Sequence, residues 1–314
     1  MTSPDRSKKV LPLPADDSVI IFRTEVSGVH GRLVRLGTVA DKILSAHGMP
    51  DAASKALGEA VVLAALLGSA LPGDGSISVQ TGTDGVVSVL YAECEAPGKL
   101  RGYARFDAEK LSALPASSER LDAGSVLGDG HLAITIDEGD AAERYQGVIA
   151  LDGRPLDRGA AAYFEQRENL PTFVRLAVAR HYAGADAGLP SAMHWRSGGI
   201  MMQMLDSTER GLADDPWTRV RILTATIEDH ELLDPTLAPE QLLLRLFHEE
   251  GVVIERVQPL ASYCKCSRER IAKVLCSFGD TDLAGMHDSE GKIVVTCKFC
   301  AATYSIEPAE VTLP

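Results

Sequence analysis

The sequence predicts an α+β protein with three parts. These are an N-terminal, largely antiparallel sheet with packed helices, a small helical middle segment, and a C-terminal module built around four cysteines. Three observations carry this prediction. Strand-like runs joined by turn signals dominate the first half of the chain, and one long apolar helix interrupts them. Four of the six cysteines, Cys264, Cys266, Cys297 and Cys300, gather near the end as a C-x-C and a C-x-x-C. The expected boundaries are a flexible tail over 1–16, an α+β domain over 17–190, an acidic and largely helical middle segment over 191–258, and the cysteine module over 259–314.

Pro4, Pro12 and Pro14 among polar residues argue for a loose tail. DSVIIFRTEV (17–26) and RLVRLGTVA (32–40) run in β-branched residues and are expected as strands. From Asp51, a candidate N-cap, to Leu71 the pattern is helical, and Pro72-Gly73 stops it. SISVQ (76–80) and VVSVLYAEC (86–94) flank TGTDG, whose Asp84-Gly85 is a hairpin signal. KLRGYARF (99–106), HLAITID (131–137) and QGVIAL (146–151) add strands. DRGAAAYFEQRENL (157–170) is a helix ended by Pro171, and FVRLAVARHY (173–182) is a further strand. Residues 183–199 look loop-like, and IMMQML (200–205) is strand-like or buried. WTRVRILTATIEDHELL (217–233) and PEQLLLRLFHEE (239–250) have helical apolar spacing.

Composition bounds the function. The chain has 314 residues, 45% hydrophobic and 24% charged, with a net charge of −13. That balance argues against sequence-independent nucleic-acid binding and against docking on an anionic membrane. The first residues lack a signal-peptide core, and AVVLAALL (60–67) is too short to span a bilayer. A cytosolic location is expected, where a thiol cluster points to metal or redox chemistry rather than a disulfide framework. Residues 206–258 carry twelve acidic side chains against five basic ones, a net −7. Self-repulsion of that size predicts low local stability.

Two cysteine pairs about thirty residues apart fit a tetrahedral zinc site of four thiolates in number and pairing. The C-x-C is tighter than the usual knuckle. The helical run between the pairs offers only Ile271, Val274, Leu275 and Phe278 to a core. A bound metal would therefore supply much of the folding free energy, on the order of 10–16 kcal/mol for structural zinc peptides. Lys265, Arg268, Arg270 and Lys298 are placed to offset thiolate charge. Spacing alone leaves three readings open: a permanent structural zinc knob, a zinc site that oxidation opens by closing each pair on itself, and a metal-free thiol pair.

At these residues the sequence resembles the 33 kDa heat-shock chaperonins, which are redox-regulated holdases. The resemblance is carried by CKCSRERIAKVL, DLAGM and GKIVVTCKFCAATYSI, by FRTEVSGVHGRLVRLG, LGEAVVLAALLGSAL, DGSISVQTGTDGVVSVLYAEC and KLRGYAR upstream, and by SGGIMMQML and LFHEEGVVI between. It implies that Cys264, Cys266, Cys297 and Cys300 bind one zinc ion in a reduced, inactive form. It implies Cys264–Cys266 and Cys297–Cys300 disulfides on oxidation, zinc release, unfolding of the middle segment, binding of unfolding client proteins, and dimerisation on activation. Ile222, Leu223, Leu242, Leu243, Leu246 and Phe247 are the expected client-binding residues, apolar faces on a soluble acidic segment. HDSEGK (287–292) and the extra Cys276 depart from the family pattern.

Other features are plainer. Cys94 and Cys276 are expected as core thiols, and Met193, Met201, Met202 and Met204 as packing residues. His248-Glu249-Glu250 lacks the second histidine of a metalloprotease helix, and no nucleotide-binding or nucleophile-elbow spacing occurs. No enzymatic turnover is expected. A zinc-ribbon adaptor for nucleic acid or protein is the alternative from another class, and a thiol-disulfide oxidoreductase would require a βαβ setting for Cys297–Cys300.

Overall fold

The computed structural model describes residues 13–311 apart from 72, 114–122, 140–143, 184–191, 206–215, 280–282, 284 and 289. Most of the expected tail, four of the twelve acidic residues counted above, and parts of DLAGM and HDSEGK lie outside the described residues.

Two antiparallel sheets sandwich one helix. The first contains β1 (Ser18–Thr24), β2 (His30–Leu36), β8 (Thr172–Ala183), β9 (Ala192–Gln203) and β10 (Val252–Pro259), in the order β10-β1-β2-β9-β8. The second contains β3 (Ser76–Thr83), β4 (Val87–Glu95), β5 (Lys99–Phe106), β6 (Gly130–Asp137), β7 (Tyr145–Ala150) and the short β11 (Ala261–Ser262), in the order β11-β5-β4-β3-β6-β7. Among the described residues only the β11–β5 pairing is parallel. Helix α2 (Asp51–Gly68) packs between the sheets, and its residues from Ala56 through Leu67 are buried except Glu59. Its alanines and glycines let both sheets approach closely: a Cβ on Gly68 would meet the Cys94 Sγ at 2.5 Å. Helices α1 (Thr38–Leu44), α3 (Ala108–Ser112), α4 (Ala123–Leu127) and α5 (Leu156–Arg167) complete this part.

Three departures from the sequence reading matter. The strand expected over 32–40 ends at Leu36, and Thr38–Leu44 forms α1, seated by Asp17 Oδ1, which accepts from the backbone N–H groups of Gly37 and Val39. Asp51 lies in the first turn of α2 behind Pro50 and pairs with Arg180 instead of capping. Residues 192–199 and 252–259, expected as loop and acidic segment, belong to full strands of the first sheet, and 200–203, expected as strand-like or buried, completes β9 at the sheet's interior. The apolar alternation of β9 is masked by Gly198-Gly199, where the backbone runs against Leu232 and Val62.

The first sheet buries both faces. Val19, Val34, Leu36 and Met201 face α2, while Ile20, Phe22, Leu33, Ile200 and Met202 face the middle segment. There α6 (Pro216–Ala225), α7 (Asp229–Leu233) and α8 (Pro239–Phe247) cover the sheet. Leu242, Leu243, Leu246 and Phe247 are buried, Leu223 is half-buried, and Ile222 is exposed. The Phe247 ring sits 5.9 Å from that of Phe22. A side chain at Gly31 would enter the Phe22 ring, so the bare backbone there makes the site for it.

The acidic segment is fastened by arginines of the sheet. Arg35 on β2 is buried and donates to the carbonyl oxygens of Glu231 at 2.7 Å, Asp234 at 3.3 Å and Leu237. Arg196 on β9 donates to Leu233 O at 2.6 Å and pairs with Asp16. Arg175 holds Asp229 at 2.8 Å. Leu13 N donates to Glu240, so residues 13–16 are tied to the fold and the expected tail is shorter than 1–16. No helix of the described residues is long and apolar enough to cross a membrane.

Replacing Arg35 with alanine leaves three main-chain carbonyls, one buried and two partly buried, without their charged donor. Hydrogen bonds of this kind contribute about 1.5–3 kcal/mol, so Arg35→Ala should lower local stability by roughly that amount. Amide exchange over 229–247 should then accelerate at least tenfold, with the α2 amides little changed.

Candidate metal centre

The cysteines are delivered by two elements of different origin. β10 hydrogen-bonds to β1 along its whole length, and Leu260 N donates to Asp17 O. The chain then crosses to the second sheet, where Ala261 N donates to Gly98 O and Tyr263 N to Leu100 O. Gly98, at φ +111°, has Pro259 O 2.5 Å from where a Cβ would sit, so only glycine lets this crossing lie against the β4–β5 turn. Cys264 and Cys266 follow directly. Ser267 then caps α9 (Arg268–Leu275), its Oγ accepting from Arg270 N at 3.2 Å.

Cys297 and Cys300 stand at the tip of a hairpin between β12 (Ile293–Thr296) and β13 (Thr303–Ile306). Cys297 O accepts from Ala301 N and Cys297 N donates to Ala302 O, both at 2.9 Å, and Ala301 takes a left-handed φ of 57° to close the knuckle. Behind the site, among the described residues, Leu275, Ile293, Ile306 and Val311 are the buried core of the module.

The four sulfurs meet. Cys264 and Cys266 are 3.2 Å apart, Cys264 and Cys297 3.6 Å, and Cys266 and Cys300 3.3 Å, and all four lie within 4.8 Å of one another. A tetrahedron of sulfurs about 2.3 Å from a central ion has edges of about 3.8 Å. The cluster therefore fits a tetrathiolate metal site as it stands, and none of its thiols is in a disulfide. Its electrostatics are uneven. Burial pushes the Cys264 and Cys300 thiols up. Burial also opposes ionisation of Cys266, but hydrogen bonds from the Tyr304 hydroxyl, at 3.2 Å, and from the neighbouring thiols outweigh it and bring this group down to about 7. Tyr304 itself is held up to about 12 by the same bond and remains a donor. Sequence reasoning missed Tyr304, because a tyrosine four residues beyond a cysteine carries no motif.

The basic residues expected to offset the thiolates have other partners. Lys265 reaches back to Glu93 at 3.4 Å and to Glu95 on β4. Arg268 is bidentate to Glu310, at 2.6 and 2.9 Å. Arg270 donates to Lys265 O at 3.0 Å, bracing the C-x-C backbone, and Lys298 is exposed. Carboxylates thus claim two of the four, Lys265 and Arg268. A cavity of about 170 Å³ is lined by Lys42, Ile43, Arg101, Tyr263, Cys264 and Cys300 among others.

The other thiols are apart from the cluster. Cys94 is fully buried and pushed up to about 12 by burial and by Glu93 and Glu95, an unreactive thiol. Cys276 caps α9 and donates to Val311 O at 3.1 Å.

Comparison with known proteins places this arrangement. The model of the family described as Hsp33 protein matches residues 17–307. The 33 kDa chaperonin of Caulobacter vibrioides is 41% identical over 294 residues, covering 93% of this chain and 95% of the relative. That of Proteus mirabilis is 33% identical over 297 residues, covering 92% of each. A crystal structure of the 33 kDa chaperonin from Thermotoga maritima superposes with a TM-score of 0.76 at 21% identity, covering 94% of this chain and 96% of its own.

Tyr304→Phe removes one hydroxyl donor to Cys266 and leaves all four sulfurs. Loss of an outer hydrogen bond to a metal ligand typically costs about 10–100-fold in affinity. Competition with a chromophoric chelator should show zinc held about tenfold more weakly by this variant.

Proposed function

The chain belongs to the Hsp33 family and is a chaperone, and on that premise we propose that it is a holdase switched on by oxidation in a reducing, cytosolic setting. In the resting form, Cys264, Cys266, Cys297 and Cys300 hold one zinc ion. The bound ion joins the C-x-C to the hairpin tip and keeps a module of small core folded. Oxidation closes Cys264–Cys266 and Cys297–Cys300. For hypochlorous acid the balance of each closure is two thiolates and HOCl giving a disulfide, chloride and hydroxide. The sulfurs are then spent as ligands and zinc leaves.

The observation that carries this reading is continuity. The chain from α8 through β10 and β11 to Cys264 runs without a described break, and it is paired to β1 and β5 on the way. Loss of the module frees the far end of that ribbon. Each of the buried side chains Leu242, Leu243, Leu246 and Phe247 contributes about 1.5–3 kcal/mol to the seat of the middle segment. The segment therefore stays shut while its anchors at both ends are intact, and opens when heat and loss of one anchor coincide. Its apolar face and the face of the first sheet beneath it then become the surface for unfolding clients. Dimerisation of the opened form would enlarge that surface, and no chemical turnover is involved.

The test uses zinc-loaded full-length protein treated with hypochlorite or warm peroxide. Zinc release, protease cleavage within 216–258 and suppression of aggregation of a thermally unfolding enzyme should rise together and reverse with dithiothreitol. A reduced form that suppresses aggregation as well as the oxidised form, or zinc release without new cleavage in 216–258, overturns the reading.

A further inference from the structure

The second sheet carries an outer face that the cysteine module covers. Three cross-strand pairs of β4 and β5 line it in order: Tyr91 opposite Tyr103, Glu93 opposite Arg101, and Glu95 opposite Lys99. The alternate residues Leu90, Ala92, Cys94 and Leu100 point the other way, into the core. The two tyrosine rings are stacked at 5.6 Å. Glu93 Oε2 accepts from the Tyr91 hydroxyl at 2.9 Å and from Arg101 Nε at 3.0 Å. These bonds lie wholly within β4 and β5. The face is thus organised by contacts between its own two strands.

What now occupies the face shows what it takes. Phe299, between the cysteines of the C-x-x-C, stands edge-on to Tyr103 at 5.1 Å and to Tyr91 at 5.9 Å. The Arg101 guanidinium lies 4.4 Å from the Phe299 ring centre. Lys265, between the cysteines of the C-x-C, pairs with Glu93 and Glu95. Tyr263 lies under Lys99 at 4.8 Å. The occupant is a set of aromatic rings and one cation, presented by the residues that alternate with the metal ligands. When the cysteines change partners, these same residues lose their fixed placement. Glu93 and Glu95 then lose one of their cations, and the paired tyrosines lose their ring.

We infer that this β4–β5 face is a second client surface, masked in the resting form by Phe299 and Lys265, and that it binds unfolded segments bearing an aromatic residue beside a basic one. The inference rests on the chaperone reading, but it places binding on the second sheet, away from the middle segment. It also gives the residues between the cysteines a function as a stand-in for client.

The probe is a short fluorescent glycine/serine peptide containing one Lys-Phe, compared with its Lys-Ala and Glu-Phe counterparts. Reduced, zinc-loaded wild type should not bind it. The reduced Lys265→Ala/Phe299→Ala protein, with zinc content verified, should bind the Lys-Phe peptide without oxidation and about tenfold better than either counterpart. Phe299→Ala alone, with Lys265 and all ligands intact, serves if the double variant loses zinc. Oxidised wild type should bind likewise, and oxidised Tyr103→Ala and Glu93→Gln about tenfold more weakly while still releasing zinc. The inference is overturned if the unmasked reduced variant ignores the peptide, or if oxidised Tyr103→Ala and Glu93→Gln bind as wild type does. Failure of the redox reading looks different: oxidised wild type keeps its zinc, while the reduced unmasked variant still reports on the face.

Discussion

Among the described residues, the four buried aliphatic side chains of the C-terminal module are too few to hold it together, so the region depends on the mutual attachment of four sulfurs. That attachment joins two pieces of chain with separate supports. The C-x-C is an extension of a strand ribbon pinned to both sheets, and the C-x-x-C is the tip of an independent hairpin. An ion at their junction would do more than stabilise a knuckle. It would fix the hairpin against the ribbon, and Phe299 and Lys265 already set both against the face of β4 and β5. The sulfur cluster is a corner where three supports meet.

The middle segment shows how an acidic, weakly cohesive stretch can be ordered. Its helices are too short to be stable alone: α7 has five residues and α8 nine. They are ordered by a hydrophobic face on the first sheet and by arginines that the sheet sends up between them. Arg175 meets an aspartate, while Arg35 and Arg196 meet carbonyl oxygens at the end of α7 and in the turn after it. The segment's charge is partly neutralised from below. Its stability is thus borrowed from the sheet.

Much of this was legible in the sequence. The hairpin signal at Asp84-Gly85 and the helix from Asp51 gave the core of the second sheet and α2, and the cysteine spacing marked the four thiols that the fold brings together. What was not legible is long-range. β10 reads as the tail of an acidic helical segment because its partner β1 lies more than two hundred residues earlier and only that pairing makes it a strand. β9 carries two adjacent glycines and a loop-like approach, so its interior place in a sheet is decided by its neighbours β2 and β8. The basic residues near the cysteines read locally as serving the sulfurs, but carboxylates on β4 and beyond α9 claim two of them, and local charge patterning cannot show that. Tyr304 and the Phe299 contacts have the same origin: each depends on a surface the sequence does not bring near until the chain is folded.

Arg35 and Arg196 have one consequence beyond stability. They hold the end of α7 by main-chain oxygens, which every residue type supplies. The hydrogen bonds of those arginines therefore do not read the side chains at 231, 233, 234 and 237, although the charges of Asp234 and Arg35 favour one another. Substitution at the exposed positions of this stretch can alter its charge and solubility while leaving these hydrogen bonds unchanged. The composition of that outer surface can vary without redesigning the sheet that receives the segment.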